Sequence, residues 1–252
     1  MGVRAWGTEG KVSGGMAAAA LVCVAMALRD APIKAVIFDC DGVLVDSEAI
    51  AHEVLVALAN EAGGDFAVAD VTEVFTGQSM AFVRAYFEER LGSALPSDFE
   101  EQYRRETGVR FRENLQPVPG VRSLLEELDL PRCVASNGPM EKMRANLVST
   151  DLLRYFTTEE AGGSREWLFS AYDVGKWKPD PALFFAAAEA LGVGPADCLV
   201  VEDSVPGVRA ALAGGFPVVA YVGGHESRAG VFEGMGVRVV GEVGQLLLAQ
   251  TR

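Results

Sequence analysis

Five short apolar runs, separated by longer stretches with helical periodicity, are the feature that most constrains the fold of this chain. The runs are Ala35–Phe38, Arg132–Ser136, Trp167–Ala171, Cys198–Asp203 and Pro217–Val222. Short continuous apolar runs between helices are typical of parallel strands that are buried on both faces. The pattern therefore predicts an α/β fold with a doubly wound, Rossmann-like parallel sheet.

One long stretch interrupts this alternation directly after the first run. From Ser47 to Leu115 no strand pattern is present. Three segments in it have the pattern of helices: Ser47–Ala62, Met80–Leu91 and Ser97–Leu115. We predict an inserted α-helical cap domain over residues 47–115 and a core domain made of residues 31–46 and 116–252. An insert at this place is expected to act as a lid over the ends of the strands.

Residues 1–30 are expected to be a leader or extension that is not part of the core. They contain an apolar run, Met16–Leu28, that is too short to span a bilayer. Basic residues precede this run and small residues end it, so the alternative is a cleaved signal that targets or exports the protein. The four cysteines form no CxxC pair, and most lie in or beside apolar runs, which favours reduced thiols and a cytoplasmic location.

The charge of the chain limits the partners that it is expected to have. Its 252 residues carry a formal net charge of −13. Because phosphate groups repel such a chain, we expect it to bind neither nucleic acid nor a membrane surface. No pattern indicates an obligate protein partner, and we expect a small molecule instead.

Polar side chains lie at the ends of the predicted strands and in the loops that follow them. They are Asp39, Asp41, Ser136, Asn137, Lys176, Lys178, Glu202 and Asp203. In an open α/β sheet, ligands bind at the carboxyl ends of the strands. We therefore expect four carboxylates, a hydroxyl and one of the two lysines to form one site.

Four carboxylates in one site repel each other unless a cation lies between them. The chain contains only two histidines, which argues against zinc. Carboxylate oxygens are the ligands that Mg²⁺ prefers. The sequence therefore predicts a Mg²⁺ site formed by Asp39, Asp41, Glu202 and Asp203.

A Mg²⁺ site with open positions is suited to phosphate oxygens. The Ser136 hydroxyl, the backbone N–H groups near Gly138 and the charge of Lys178 are expected to bind the same phosphate. Asp39 is then suited to attack phosphorus, and Asp41 to protonate the leaving oxygen and later to deprotonate water. The predicted chemistry is Mg²⁺-dependent phosphoryl transfer.

Four segments resemble, in order and spacing, the four motifs of the haloacid dehalogenase superfamily. They are DCDGVLVDSE from Asp39, ASNGP from Ala135, KWKPDPALF from Lys176 and VVEDSVPGVRAA from Val200. The similarity covers roughly residues 33–240. The helical insert resembles the small cap of the subgroup that contains β-phosphoglucomutase and many sugar-phosphate phosphatases.

This resemblance implies an enzyme that hydrolyses a small phosphorylated metabolite through an aspartyl-phosphate intermediate. It implies a sugar or sugar-acid phosphate, such as 6-phosphogluconate, as the substrate. Asp39 is implied as the nucleophile and Asp41 as the acid/base, with the Asp41 carbonyl also binding the metal. Asp203 is implied as a Mg²⁺ ligand, with Glu202 beside it.

The resemblance also implies which residues bind the substrate. Ser136 and Lys178 are expected to bind the phosphate, and Lys178 is preferred over Lys176 because the family's lysine directly precedes a proline. The other expected substrate-binding residues are Asn137, Gly77, Gln78 and Arg84.

Two alternatives share parts of this pattern. A β-phosphoglucomutase-like mutase has the same core residues, but such members place a histidine where this chain has Ala51, and His52 should point about 100° away. A non-catalytic phospho-acceptor module also uses acidic groups, Mg²⁺ and a lysine, but Asp41 beside Asp39 and the large insert argue against it. The segment Thr157–Glu166 is expected to be a surface loop with no assigned role.

Overall fold

The computed structural model describes residues 33–75, 78–223 and 225–243. The chain divides into two compact units. The core unit consists of the described residues up to Val45 and from Pro117 onward, and the helical unit is Asp46–Gln116. The leader predicted over residues 1–30 lies outside the described residues.

The described part of the chain contains eight strands and ten α-helices. The strands are β1 (Ala35–Phe38), β2 (Arg132–Ser136), β3 (Thr157–Glu160), β4 (Gly163–Glu166), β5 (Leu168–Ser170), β6 (Cys198–Glu202), β7 (Val218–Tyr221) and β8 (Arg238–Val240). The helices are α1 (Glu48–Glu61), α2 (Val68–Phe75), α3 (Met80–Leu91), α4 (Phe99–Asn114), α5 (Val121–Glu127), α6 (Met140–Ser149), α7 (Ala171–Val174), α8 (Ala182–Ala190), α9 (Val205–Ala213) and α10 (Ala229–Glu233). Short 3₁₀ turns cover Leu153–Phe156, Pro195–Asp197 and Glu226–Arg228.

The core unit is built on a six-stranded sheet in the order β5-β2-β1-β6-β7-β8. Every pairing in it is parallel, which confirms the predicted α/β fold with a doubly wound sheet. Five of its strands match the predicted runs to within one residue at each end. The sixth, β8, was missed because its three residues include the polar Arg238 and make too short an apolar run.

The central strand β1 is buried on both faces, as its unbroken apolar sequence predicts. None of its residues is more than 1% exposed. Ile37 shares a cluster with Val200 of β6 and Phe184 of α8 on one face, while Phe38 packs edge-on against Phe156, with ring centroids 6.2 Å apart. This strand therefore holds the residues that follow it at a fixed place in the sheet.

The helical unit has its own hydrophobic core. Phe87 is fully buried and lies at the centre of a set of edge-to-face ring contacts with Phe66, Phe75 and Phe99, at centroid distances of 4.8, 5.0 and 6.4 Å. No strand occurs in the described part of this unit. Helix α2 was not predicted, although Val68, Val71 and Phe75 have the spacing of one helical face.

The segment Thr157–Glu166 is not the irregular loop that the sequence suggested. It forms an antiparallel hairpin of β3 and β4, with Thr158 opposite Arg165. Trp167 Nε1 donates a hydrogen bond to Thr158 Oγ1 at 2.8 Å, and the Arg165 guanidinium lies 3.8 Å from the centre of the Trp167 ring. These contacts were not foreseen because the strands are polar and lack the alternation that marks a strand.

Among the described residues, no helix combines the length and the apolar character that crossing a membrane requires.

Candidate active site

The carboxyl ends of β1, β2 and β6 are neighbours in the sheet and bring the predicted residues to one edge. Asp39 follows β1, Ser136 ends β2, and Glu202 ends β6. Gly42 turns the chain after β1 with φ of +80°, a conformation that favours glycine. The edge of the sheet thus assembles residues that are far apart in the sequence.

Lys178 is the centre of a buried charged cluster. Its Nζ donates hydrogen bonds to Asp39 Oδ1 and Glu202 Oε1, both at 2.5 Å, and to the Ala135 carbonyl at 2.8 Å. The lysine side chain is only 2% exposed. One ammonium group therefore fixes the carboxylates that follow β1 and end β6.

The cluster shifts the pKa of the Asp39 carboxyl group and of the Lys178 ammonium group. Burial raises the pKa of Asp39 to about 7, although the charge of Lys178 acts in the opposite direction. Burial lowers the pKa of Lys178, but the charges of Asp39 and Glu202 outweigh it, and the pKa lies above the usual lysine value. Lys178 therefore stays positively charged at any ordinary pH.

Glu202 was predicted to bind the metal, but its oxygens have other partners. Oε1 accepts from Lys178, and Oε2 accepts from the backbone N–H groups of Asp203 and Ser204 and from the Ser204 hydroxyl, at 3.1, 2.9 and 2.8 Å. Its side chain is fully buried. These contacts hold Lys178 and the turn before α9, and metal binding by the Glu202 carboxylate stays a prediction.

Asp203 lies beside the loop that follows β1. A Cβ on Gly42 would stand 2.4 Å from Asp203 Oδ2, so only glycine permits this approach. Arg228 Nη2 donates to the Asp203 carbonyl at 2.6 Å, and its Nη1 is 4.0 Å from the carboxylate. Sequence reasoning missed Arg228 because it lies in no motif and comes 25 residues after Asp203.

The chemistry of the donor atoms at this edge of the sheet suits Mg²⁺. Within the described residues, no group of three or more histidine, cysteine, aspartate or glutamate side chains is placed to hold a metal. The carboxylates of Asp39 and Asp203 are oxygen donors at this edge, and Gly42 leaves space beside Asp203 that a Cβ would fill. Two carboxylates supplemented by main-chain, water and phosphate oxygens are a coordination that Mg²⁺ accepts.

The loop after β2 is fixed by hydrogen bonds at several points. Ser136 Oγ accepts from the Gly138 N–H at 3.0 Å, and the Ser170 hydroxyl donates to the Gly138 carbonyl at 2.7 Å. The Asn137 amide accepts from the Lys178 N–H at 2.9 Å and donates to the Lys178 carbonyl at 3.4 Å. Asn137, predicted to bind substrate, thus orients the backbone that carries Lys178.

The carboxylate of Asp41 is held by two side chains of helix α6. Lys142 Nζ donates to Asp41 Oδ2 at 2.8 Å, and Asn146 Nδ2 lies 3.5 Å from Asp41 Oδ1. The sequence of α6 indicates only a helix with a buried stripe. Its polar residues were missed because their contact with Asp41 depends on how α6 packs beside β1.

The residues predicted to bind substrate from the cap belong to the helical unit. Gly77 lies outside the described residues, and Gln78 is exposed. The guanidinium of Arg84 donates to the carbonyls of Leu95 and Pro96, at 2.7 and 3.2 Å, and pairs with Glu88 at 3.0 Å. The bonds to Leu95 and Pro96 fix the loop after α3, and the pair with Glu88 lies within α3, so all of these contacts are inside the helical unit.

The described cysteines take no part in this chemistry. Cys40, Cys133 and Cys198 are buried free thiols. Burial raises the pKa of each, to about 12 for Cys198. They therefore stay protonated and unreactive.

Residues 33–215 match the family of haloacid dehalogenase-like hydrolases. The chain belongs to this family, as the four motifs predicted.

One relative and two solved structures show which members of the family this chain is similar to. The chain is 36% identical to 6-phosphogluconate phosphatase of Escherichia coli over 74% of its own length and 81% of the relative's. A hydrolase of the same family from Deinococcus radiodurans, solved with bound phosphate and sodium, has a TM-score of 0.70 and 30% identity, covering 84% of this chain and 92% of that one. A presumed β-phosphoglucomutase from Thermotoga maritima has a TM-score of 0.69 and 27% identity, covering 86% and 98%.

Proposed function

We propose that this protein is a Mg²⁺-dependent phosphatase that hydrolyses a sugar or sugar-acid phosphate, with 6-phosphogluconate as the leading candidate. The observation that carries the proposal is the buried cluster in which Lys178 joins Asp39 to Glu202 at the carboxyl edge of the sheet. The phosphate in the related D. radiodurans structure and the name of the E. coli relative support the reaction and the substrate class.

Asp39 is the proposed nucleophile. An Asp39 carboxylate oxygen forms a bond to phosphorus while the bond from phosphorus to the sugar oxygen breaks, which gives an aspartyl phosphate and the free sugar. Lys178 and Ser136 hold the phosphoryl oxygens as charge moves onto the leaving group. Lys178 already contacts Asp39, so it also keeps the attacking carboxylate in place.

Asp41 is the proposed acid and base. It gives its proton to the departing sugar oxygen in the first half of the reaction. In the second half it takes a proton from water, whose oxygen attacks phosphorus and releases phosphate, restoring Asp39. Mg²⁺, when bound, neutralises negative charge on the phosphoryl group. Asp39, Asp203 and the Asp41 carbonyl are the groups proposed to hold it.

The mutase alternative is favoured by the name of the T. maritima relative but not by the residues of the first cap helix. Ala51 stands where a mutase is expected to carry its histidine. His52 is 4% exposed and packs against Phe75 inside the helical unit, with ring centroids 6.3 Å apart. We therefore propose water as the usual acceptor of the phosphoryl group.

The proposal is tested by measuring phosphate released from a panel of phosphorylated metabolites, with EDTA and with Mg²⁺ restored. We expect EDTA to abolish release and Mg²⁺ to recover it, with the highest kcat/KM for sugar or sugar-acid phosphates. The variant Asp203→Ala should raise the Mg²⁺ concentration needed for half-maximal activity by about tenfold or more, because a direct ligand is lost. Full activity after thorough metal removal would contradict the assigned metal.

A further inference from the structure

Helix α6 places two hydrogen-bond donors against Asp41. Lys142 and Asn146 are four residues apart, which puts them on one face of the helix. Lys142 Nζ is 2.8 Å from Asp41 Oδ2, and Asn146 Nδ2 is 3.5 Å from Oδ1. Each carboxylate oxygen therefore has its own donor on the same rigid element.

We propose that Lys142 and Asn146 are positioning residues that hold the Asp41 carboxylate in the orientation needed for proton transfer to the leaving group. This inference rests on the proposed function, in which Asp41 is the acid. Contacts to both oxygens restrict rotation of the carboxylate. Proton transfer needs an acid within hydrogen-bond reach of the oxygen that it protonates, so a loss of orientation slows that step.

Of the two residues that contact Asp41, Asn146 is buried with the residues that anchor α6, whereas Lys142 is not. Met143 and Leu147 are buried in the core at 2% and 0% exposure, and Arg144 pairs with Glu166 of β4 at 3.0 Å. Lys142, in contrast, has a side chain that is 42% exposed. Its replacement is therefore expected to leave α6 in place.

The proposal predicts a dependence on the leaving group that a structural role would not produce. A sugar alkoxide is a poor leaving group and needs a proton as its bond to phosphorus breaks. A 4-nitrophenolate ion is stable enough to leave without one. The value of kcat/KM reports the steps up to the first irreversible one, which here is phosphoryl transfer to Asp39. A defect in proton transfer therefore lowers kcat/KM only for the sugar phosphates, whereas a defect in phosphate binding lowers it for both kinds of substrate.

The experiment compares Lys142→Met with the wild type on 6-phosphogluconate, glucose 6-phosphate and 4-nitrophenyl phosphate, with Mg²⁺ present. We expect kcat/KM to fall by about tenfold or more for both sugar phosphates and by less than about threefold for 4-nitrophenyl phosphate. Lys142→Arg should recover part of the loss. Asn146→Ala should also lower kcat/KM more for the sugar phosphates than for 4-nitrophenyl phosphate. The matched control is Lys176→Met, which removes an exposed lysine whose Nζ is 3.7 Å from Asp180, and it should leave all three values unchanged.

Several results would overturn the proposal. Equal losses on all three substrates would assign Lys142 to the fold or to phosphate binding. A loss confined to 6-phosphogluconate would mean that Lys142 binds the carboxylate of the substrate. Unchanged or faster hydrolysis of both sugar phosphates would show that the contact does not assist Asp41. If the wild type releases phosphate from none of the three, it is the proposed function itself that fails.

Discussion

At the scale of single residues, the charged cluster around Lys178 is the dominant feature. Burying charged groups is costly, and removing one partner of a buried ion pair commonly costs about 3–5 kcal/mol. Lys178 offsets this by bonding two carboxylates and a carbonyl at once. Residues proposed for catalysis are therefore also expected to affect stability through their charges.

Replacing Asp39 with asparagine is expected to abolish turnover while the fold survives. An amide is a very poor nucleophile, so the aspartyl phosphate does not form. The amide oxygen of the new side chain can still accept a hydrogen bond from Lys178, which keeps the geometry of the cluster. Activity above about 1% of the wild type in a phosphate-release assay, with an unchanged circular dichroism spectrum, would rule out Asp39 as the nucleophile.

The raised pKa of Asp39 makes the stability of the metal-free protein depend on pH. A carboxyl group with a pKa of 3.8 when unfolded and about 7 when folded binds its proton more tightly in the folded state. Its ionisation therefore reduces stability as the pH rises from about 4 to about 7. We expect the Tm of Asp39→Asn minus the Tm of the wild type, both measured in EDTA, to increase as the pH rises across this range. A constant difference from pH 4 to pH 8 would contradict the shift.

The sequence identified the residues whose position follows from a strand end. Asp39 and Glu202 lie at the ends of apolar runs, and the carboxyl edge of a parallel sheet brings such residues together. Arg228 and Lys142 were not predicted, because their contacts depend on how a distant turn or helix packs. The contacts of Glu202 with Lys178 and Ser204 were not foreseen, because a strand-end position does not reveal which partners its oxygens have.

At the scale of elements, the turn from β6 into α9 depends on one glycine. A Cβ on Gly207 would lie 1.9 Å from Glu202 Oε1, a distance that no packing tolerates. Ser204 Oγ caps the helix by accepting from the Gly207 N–H at 3.1 Å, and the same hydroxyl donates to Glu202. The helix start and the buried glutamate therefore fix each other.

Gly207→Ala is expected to lower both the Tm and the activity. The new methyl group must displace Glu202, which weakens its bond to Lys178, so we expect a loss of stability of about 2 kcal/mol or more. The matched control is Gly230→Ala in α10, where an added Cβ meets nothing within 4 Å. This control should leave both properties near wild type. Equal Tm values for the two variants would show that Glu202 has room to move.

Elements with strong apolar periodicity could be predicted from the sequence, and short or polar ones could not. The apolar runs gave five sheet strands because burial on both faces leaves an unbroken signal. Strand β8 is too short for a periodicity to show, whereas helix α2 was not predicted although its apolar residues have helical spacing. The β3–β4 hairpin is held by polar and cation–π contacts of Arg165 and Trp167, which a hydrophobic pattern does not record.

At the scale of the whole molecule, the division into a core unit and a helical unit bears on which acceptor receives the phosphoryl group. A mutase must keep water from the aspartyl phosphate until a sugar hydroxyl arrives, and needs a group that activates this hydroxyl. The buried His52 is packed in the interior of the helical unit. The chain therefore lacks the histidine expected at position 51 for that task.

We predict that phosphate release greatly exceeds isomerisation. The assay supplies β-glucose 1-phosphate with a catalytic amount of glucose 1,6-bisphosphate and Mg²⁺, and measures glucose 6-phosphate and free phosphate together. Little glucose 6-phosphate is expected, while the preferred substrate should release phosphate stoichiometrically. Accumulation of glucose 6-phosphate much faster than phosphate would identify a mutase.

The central place of β1 also governs the order in which the protein forms during translation. β1 leaves the ribosome before either of its neighbours, and β6 follows only when most of the chain has been made. The helical unit depends on contacts that are closer in sequence, which form faster. In nascent chains arrested before Glu202, the edge of the apolar strand β1 that later pairs with β6 has no hydrogen-bond partner. Such a strand is prone to aggregate or to bind chaperones. Protease resistance of β1 in arrested chains should therefore rise sharply once β6 has emerged, and a rise before that point would contradict this order.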